Sequence, residues 1–433
     1  MKPNLVSGKY RPSQLAGMAA GGAVLGAIGG AALGSGVKSV GPVKGALAGA
    51  VVMGLGEPIT SVTTPNDKVK PLPWRIIASA FPAAAAGAAI DLVARKPHPL
   101  LVGLVTGGAA GAIGGRLKKI GLGLGIGSTT GLVARAIAPQ ASGSLVAAAS
   151  VLAYRTTSGV LWRHETQLDL MGERVPPEQI PYVVPFESRT RYVGADYVKD
   201  LAKRTGGTFT RNPTDIGIVP SLDLLSGSTF DPNAVHQLIR EFYEHTSRFK
   251  LDIEPEWKPW IKPGYWVYKN TVAKPLGQAN VPSNVREAQR GVTSYIDTIE
   301  SDADDTTIRG WVRVFADSGD PIYVGIYTTF RHEDRGYVSV GFPLPNANFT
   351  ATLQPFNSRE HDFLLSSHTD QAFPGHYLSA FENESDEISV VQLNTFGEEI
   401  DVYVKDEQLF TDHSFYLSGH KFMTLHYTMR RRP

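Results

Sequence analysis

The stretch AGMAAGGAVLGAIGGAALGSG, Ala16–Gly36, carries no charge and places a glycine on nearly every helical turn. Inside a helix each glycine costs about 1 kcal/mol relative to alanine, so a long apolar segment loaded with it needs a compensating gain. The spacing supplies one. Gly22, Gly26, Gly30 and Gly34 recur every fourth residue, as do Gly41, Gly45 and Gly49, then Gly103, Gly107, Gly111 and Gly115, and finally Gly123, Gly127 and Gly131. On a helix this period cuts a smooth groove along one face. In lipid, where helices gain little by hiding apolar surface from one another, such grooves allow backbones to approach closely.

Four runs of this kind resemble glycine-zipper membrane segments. That resemblance concerns a packing style over residues 15–138 and implies no activity. Six apolar blocks follow one another at about 15–35, 41–56, 74–94, 99–115, 120–138 and 141–162, separated by proline-rich or basic connections such as TTPNDKVKPLP and RKPHP. A span needs about 20 residues; three blocks reach that length comfortably and 41–56 is short. A flexible linker would be richer in polar residues, and a soluble helical bundle would carry a charged face on each helix. The expectation is therefore a bundle of about six membrane helices over 1–162.

Charge divides the chain at the same place. Residues 1–162 hold 15 Lys and Arg, three acids and 28 of the 45 glycines, but only five of the 40 aromatic residues. Their balance of +12 leaves −11 on the remainder, which the overall net charge of +1 conceals. With six spans and the N-terminus in the cytoplasm, eleven basic residues fall on the inner side and five on the outer. The positive-inside rule then places the C-terminal part in the cytoplasm. Asp91 and Arg135 lie near span ends and Arg155 within the sixth block; snorkelling to the headgroups accounts for them. No cluster of intramembrane acids marks an ion path, which keeps a transporter the weakest of the functional readings. There is no cysteine, which removes disulfides and thiolate ligands.

Residues 163–230 read as an irregular connector containing one short helix, GADYVKDLAKRTGG, that stops at Gly206. A further helix is expected from Asp231, with Pro232 in its first turn. His236, Glu241 and His245 on it lack a ligand spacing beyond one four-residue pair, so a solvated face is expected. The segment WKPWIKPGYWVYK, Trp257–Lys269, interleaves aromatic rings with lysines. Trp257, Trp260 and Trp266 with Lys258 and Lys262 form a candidate membrane-interface patch; the competing expectation is that these rings join helix to sheet in a core.

From about Ile308 the period becomes two. About ten strand-like runs with short turns predict an antiparallel meander, barrel or sandwich. In the first, Ile308, Val312 and Val314 oppose Trp311, Arg313 and Phe315; in the second, Ile322, Val324 and Ile326 oppose Tyr323, Tyr327 and Arg331. The aliphatic set would pack on helices. The aromatic and basic set would line a cavity suited to an amphiphile, with rings for a tail and Arg for an acidic head. Trp311, Arg313, Tyr323, Tyr327, His376 and His426 are thus candidate ligand-binding residues. No HxH, HExxH, phosphate-loop or nucleophile-elbow pattern appears, so no metal, cofactor or catalytic residue is assigned. The acidic balance argues against nucleic acid.

The sequence thus predicts a multi-domain α+β chain: a glycine-zipper transmembrane bundle (1–162), a connector (163–230) and a mainly antiparallel β domain with a few helices (231–433). The expected partners are membrane lipids, a hydrophobic small molecule bound by the β domain, and a second copy docked through glycine faces. Two further readings stand beside lipid binding. One is a membrane-bound enzyme acting on a lipid-like substrate, with His376, His426 or Arg313 in its cavity. The other is a structural protein that docks partners.

Overall fold

The glycine-rich blocks form six helices in a computed structural model that describes residues 10–94, 98–113, 117–162, 174–301, 306–359, 361–381 and 387–432. They are α1 (Pro12–Ser35), α2 (Gly41–Thr63), α3 (Leu72–Ala94), α4 (Pro99–Ala112), α5 (Leu117–Ile137) and α6 (Gly143–Leu161). The chain divides into two compact units, residues 1–171 with 267–275 and residues 172–266 with 276–433.

In the first unit α1 and α2 lie backbone against backbone. A methyl group added to Gly26 would collide with the Gly49 carbonyl, one on Gly30 with Gly45, and one on Gly34 with Gly41; Gly22 faces the Met53 carbonyl. The pair α4–α5 repeats this arrangement through Gly103 on Gly127, Gly107 on Gly123 and Gly111 on Lys119. Gly115 lies outside the described residues. Between α3 and α6, Gly87 and Gly143 meet the same way. These glycine faces are therefore occupied by helices of the same chain. Asp91, near the end of α3, accepts a hydrogen bond of 2.7 Å from the backbone N–H of Gly143. It thus satisfies an orphan donor at the start of α6.

Four helices, α1, α2, α3 and α5 from Lys118, are long and apolar enough to cross a membrane. Of the other two helices expected from the apolar blocks, α4 is apolar over its 14 described residues, and α6 carries Ser144, Ser150, Arg155, Thr156, Thr157 and Ser158. Conversely, α2 continues through Pro58 to Thr63, so the block that looked short is a full-length helix. The first unit also takes in Val267–Pro275 from far along the chain. Asn270 packs on Gly17 and Gly21 of α1, and the Tyr10 hydroxyl donates to the Pro275 carbonyl at 3.1 Å. Here the helix loosens into a π turn over Lys269–Ala273.

The second unit is built on an antiparallel sheet of 14 strands among the described residues. Its main path joins β2 (Thr208–Thr210), β4 (Val292–Ser301), β5 (Thr306–Phe315), β6 (Pro321–His332), β7 (Arg335–Leu344), β8 (Ala347–Asn357) and β9 (Phe363–Ser366). It continues through β12 (Phe396–Lys405), β13 (Gln408–Leu417) and β14 (His420–Arg431) to β3 (Phe249–Trp257). A side branch of β10 (Gly375–Phe381), β11 (Ile388–Gln392) and β1 (Arg174–Val175) leaves β8, whose far half pairs with β9 instead. The meander thus begins well before Ile308, with β2 and β3 at the two ends of its path.

Ten of these strands, β4 to β9, β12 to β14 and β3, contribute to one hydrophobic core. Phe249, Ile296, Trp311, Ile322, Val338, Leu353, Phe363, Val402, Leu409 and Leu425 all belong to it. A core shared by these ten strands means that the sheet curls round on itself into a barrel-like wall. Arg432 ties β3 to β4, donating to the Phe249 carbonyl of β3 at 3.0 Å and the Ser294 carbonyl of β4 at 2.7 Å.

Helices finish this unit. In α7 (Tyr197–Thr205), Val198, Leu201 and Ala202 cover Val312, Val324 and Ile326 on the outer face of β5 and β6. Gly206 ends the helix in the left-handed conformation, φ +75°, where glycine is unstrained. Asp231 begins only a single 3-10 turn, Pro232–Ala234. The helix proper is α8 (Gln237–Glu244), capped by the His236 imidazole, and it delivers Phe242 and Tyr243 to the barrel core.

Candidate ligand-binding site

The period of two decides which side chains look into the barrel. Pairing sets Glu398 opposite Phe415, Phe415 opposite Met423, and Met423 opposite Trp257, so all four share a face. The same registers put His413 opposite Ile400 and Leu425, and Tyr427 opposite Thr411 and Ile253. On β5 and β6, Arg313 lies opposite Tyr323. A bulge follows this pair and turns Ile322 into the core with Trp311 and Phe315, not outward with Val324 as strict alternation predicts.

Arg313 is 3% exposed. Its guanidinium lies 3.8 Å from the Trp311 ring centre, 4.9 Å from Tyr323 and 5.0 Å from Tyr427. Among the described residues its Nε and Nη1 have no hydrogen-bond partner. Burying an unpaired charge costs several kcal/mol. A desolvated ring contact returns up to about 2 kcal/mol. The three rings therefore hold the cation without supplying a counter-charge.

Glu398 is the opposite case. Its Oε2 accepts from His376 Nε2 at 3.0 Å and its Oε1 from His413 Nε2 at 2.6 Å. Both ring nitrogens act as donors here because a carboxylate can only accept. Its backbone N–H donates to Ser367 Oγ at 2.8 Å. Burial alone would push this carboxyl up, but the charge and hydrogen bonds of His413 and His376 outweigh it and hold Glu398 at about 2. His376 is 0% exposed, with Nδ1 lacking a partner among the described residues. No group of three or more His, Asp or Glu is arranged to hold a metal among the described residues. In the Glu398 cluster the carboxylate oxygens and both Nε2 atoms are spent on one another.

Rings connect the two charged points. Tyr323 meets Phe342 at 5.9 Å, Phe342 meets Phe349 at 6.3 Å, and Phe349 stacks on His376 at 5.6 Å. Phe396 lies 4.6 Å from His376, 6.2 Å from Phe415 and 6.0 Å from Phe422. Tyr323 and Tyr327 sit so deep that burial pushes both phenols well above their ordinary pKa, against the pull of the Arg313 charge. Both nevertheless keep open surface, as do Phe342, Phe349, Phe396, Phe415 and Phe422. All seven rings lie on the inward parity of the sheet and are only partly covered.

Of the residues assigned to a cavity from sequence, Trp311, Arg313, Tyr323 and Tyr327 come together, and His376 joins them through Phe349. His426 does not. Leu425 and Tyr427 take the inward positions on β14, so alternation forces His426 outward, where its Nδ1 lies 2.7 Å from Asp412 and its Nε2 3.6 Å from Glu256. It borders a polar surface hollow of about 460 Å³ together with Glu399, Asp401 and Lys421. Trp257 is corrected too. It is 7% exposed at the end of β3, stacked on Tyr265 at 4.0 Å, and its indole N–H donates to the Pro282 carbonyl, so it belongs to the core and not to a headgroup layer. Trp260 and Trp266 are 57% and 40% exposed, Lys258 pairs with Glu256 at 2.7 Å, and Lys262 opens a short helix, Lys262–Tyr268. Glu241 is bound by Arg431 and Arg248, and His245 by Asp215, so neither is a ligand in waiting.

Sequence reasoning missed Glu398, His413 and Tyr427. The signal was present in EEIDVYVK, where Glu398 shares the inward parity of Ile400, Val402 and Val404. An acid in an apolar stripe requires a buried partner.

The fold and its apolar helices define an integral membrane protein with an α+β, two-part architecture. Over 244 residues the chain is 23% identical to a Bacillus subtilis (strain 168) protein described as the uncharacterized membrane protein YndJ. The match covers 55% of this chain and 41% of that relative, so the chain spans well under half of it. No family model matches the sequence. No solved structure matches it either.

Proposed function

We propose that the barrel of this membrane protein binds a hydrophobic or amphiphilic small molecule, with the helical unit holding it in a lipid membrane. The observation that carries this reading is the set of deep aromatic rings with open surface: Tyr323, Tyr327, Phe342, Phe349, Phe396, Phe415 and Phe422. Partly covered rings on one wall with few polar groups among them suit a ligand of that kind. We place the barrel in the cytoplasm. The bias of basic residues supports this side, and an even number of spans, four or six, returns the chain to the side of its N-terminus.

The test uses the full chain, purified in mild detergent and stripped of lipid. The neutral fluorophore N-phenyl-1-naphthylamine should bind saturably, about one per chain, with energy transfer from Trp311. Phe396→Trp, which enlarges one of these rings, should weaken it. Binding that does not saturate, or that ignores this substitution, refutes the reading. A second reading, chemistry on the held molecule, is favoured by one observation: two histidines within hydrogen-bond reach of a buried carboxylate beside the same rings. Turnover of long-chain esters by the wild type that His413→Gln abolishes would support it, and no turnover in either would dismiss it.

A further inference from the structure

We infer that the molecule held in the barrel is an anion, a long-chain carboxylate or phosphate whose acidic group rests on Arg313. The inference deepens the reading above and depends on it. Its basis is an asymmetry between the two charges that share one aromatic wall. Both carboxylate oxygens of Glu398 are taken by histidine N–H groups, so the negative end is satisfied from within. Arg313, equally buried, has rings on its flanks and two nitrogens without partners among the described residues. Rings stabilise a guanidinium through their faces but leave its N–H groups unmet. A cationic or zwitterionic ligand would bring the cavity a second positive group whose natural acceptor is already occupied. A neutral ligand would leave Arg313 as it is. Only an anionic oxygen group completes the hydrogen bonding and the charge together. The remaining wall, from Tyr323 through Phe342 to Phe349, offers no further unpaired charge and suits a chain of methylenes.

The experiment measures displacement of N-phenyl-1-naphthylamine from the full chain by hexadecanoic acid, hexadecyl phosphate, hexadecanol, hexadecylamine and inorganic phosphate. The acid and the alkyl phosphate should displace it at concentrations at least about tenfold lower than the alcohol, the margin of a charge-assisted hydrogen bond. The amine should be weakest. In Arg313→Met the ratio of acid to alcohol should collapse towards one, while Arg313→Lys should keep part of it. Equal potency of acid and alcohol in the wild type, or a preference that survives in Arg313→Met, overturns the inference while saturable binding of the fluorophore leaves the barrel reading standing. Displacement by inorganic phosphate as strong as that by hexadecyl phosphate also overturns it, since the site would then take a free ion. Should Arg313→Met fail to fold, the Arg313→Lys ratio and the ranking of acid, alcohol and amine in the wild type decide. Failure of the fluorophore to bind at all removes both readings together.

Discussion

Replacing Glu398 by Gln should cost the barrel unit a defined, pH-dependent share of its stability. The carboxyl is held at about 2 against an ordinary value of 4.5, and each tenfold gain in acidity is worth about 1.4 kcal/mol. The folded state therefore gains roughly 3 kcal/mol from ionising this one group. Because the folded value is depressed, that contribution is complete above pH 4.5 or so and is lost as the pH falls towards 2. For a unit of this size about 1 kcal/mol moves the melting temperature by roughly 2–4 °C, so Glu398→Gln should melt about 6–12 °C lower near neutrality. An amide also presents an N–H₂ where one histidine needs an acceptor, which adds to the loss. The assay is thermal unfolding of the full chain in detergent, followed by tryptophan fluorescence at pH values between 7 and 3. The variant should start lower and lose less than the wild type between pH 5 and 3. Coincident melting curves near neutrality, or parallel declines in acid, would refute the claim that Glu398 is ionised and paired within the barrel.

Two further outcomes follow from the helical unit and from its orientation. Gly127→Ala drives a methyl into the Gly103 carbonyl and should destabilise the helices by about 1–3 kcal/mol. Gly125→Ala, two residues away with open space around it, should be neutral or gain up to about 1 kcal/mol from propensity. Circular-dichroism melts that fail to separate the two variants would deny that α4 and α5 meet through backbone. The chain has no cysteine, so Asn394→Cys on an exposed turn of the barrel unit introduces a single thiol. In whole cells a membrane-impermeant maleimide should label it only after permeabilisation; labelling of intact cells would place the barrel outside.

The helical seams were legible because their signal is local. Glycine every fourth residue forces one face smooth whatever the neighbour, and Gly26, Gly30 and Gly34 met partners of the same kind in Gly49, Gly45 and Gly41. Span length was less legible, since hydropathy in Gly/Ala helices is marginal, and the block that looked short at 41–56 runs on as helix to Thr63. What could not be read was anything set by distant pairing. The stretch Val267–Pro275 looks like part of an aromatic patch, yet it leaves its neighbours and packs Asn270 onto α1, a contact separated by some 250 residues of chain. β3 was hidden for a similar reason. Its alternation, Phe249, Leu251, Ile253 and Trp257 inward, is plain, but it sits between a helix and a proline-rich patch and finds its partner, β14, only at the end of the chain.

The barrel shows how much a single parity decides. On β14 the inward set Met423, Leu425, Tyr427 and Met429 alternates with an outward set that includes His426. Chemistry alone made His426 as good a cavity residue as His413, since both are histidines on neighbouring strands. Parity relative to Leu425 separates them: His413 pairs with Leu425 and faces Glu398, whereas His426 pairs with Asp412 and faces water. A one-residue slip in this strand would exchange the two faces, placing His426 against the rings and Tyr427 outside. The Met423, Leu425 and Met429 side chains that such a slip would expose are each worth about 1.5–3 kcal/mol when buried. The same aliphatic residues that give no chemistry to the site thus fix which polar residues enter it, and Arg313 and Glu398 stay inside the barrel only because their apolar neighbours on the same parity cannot leave.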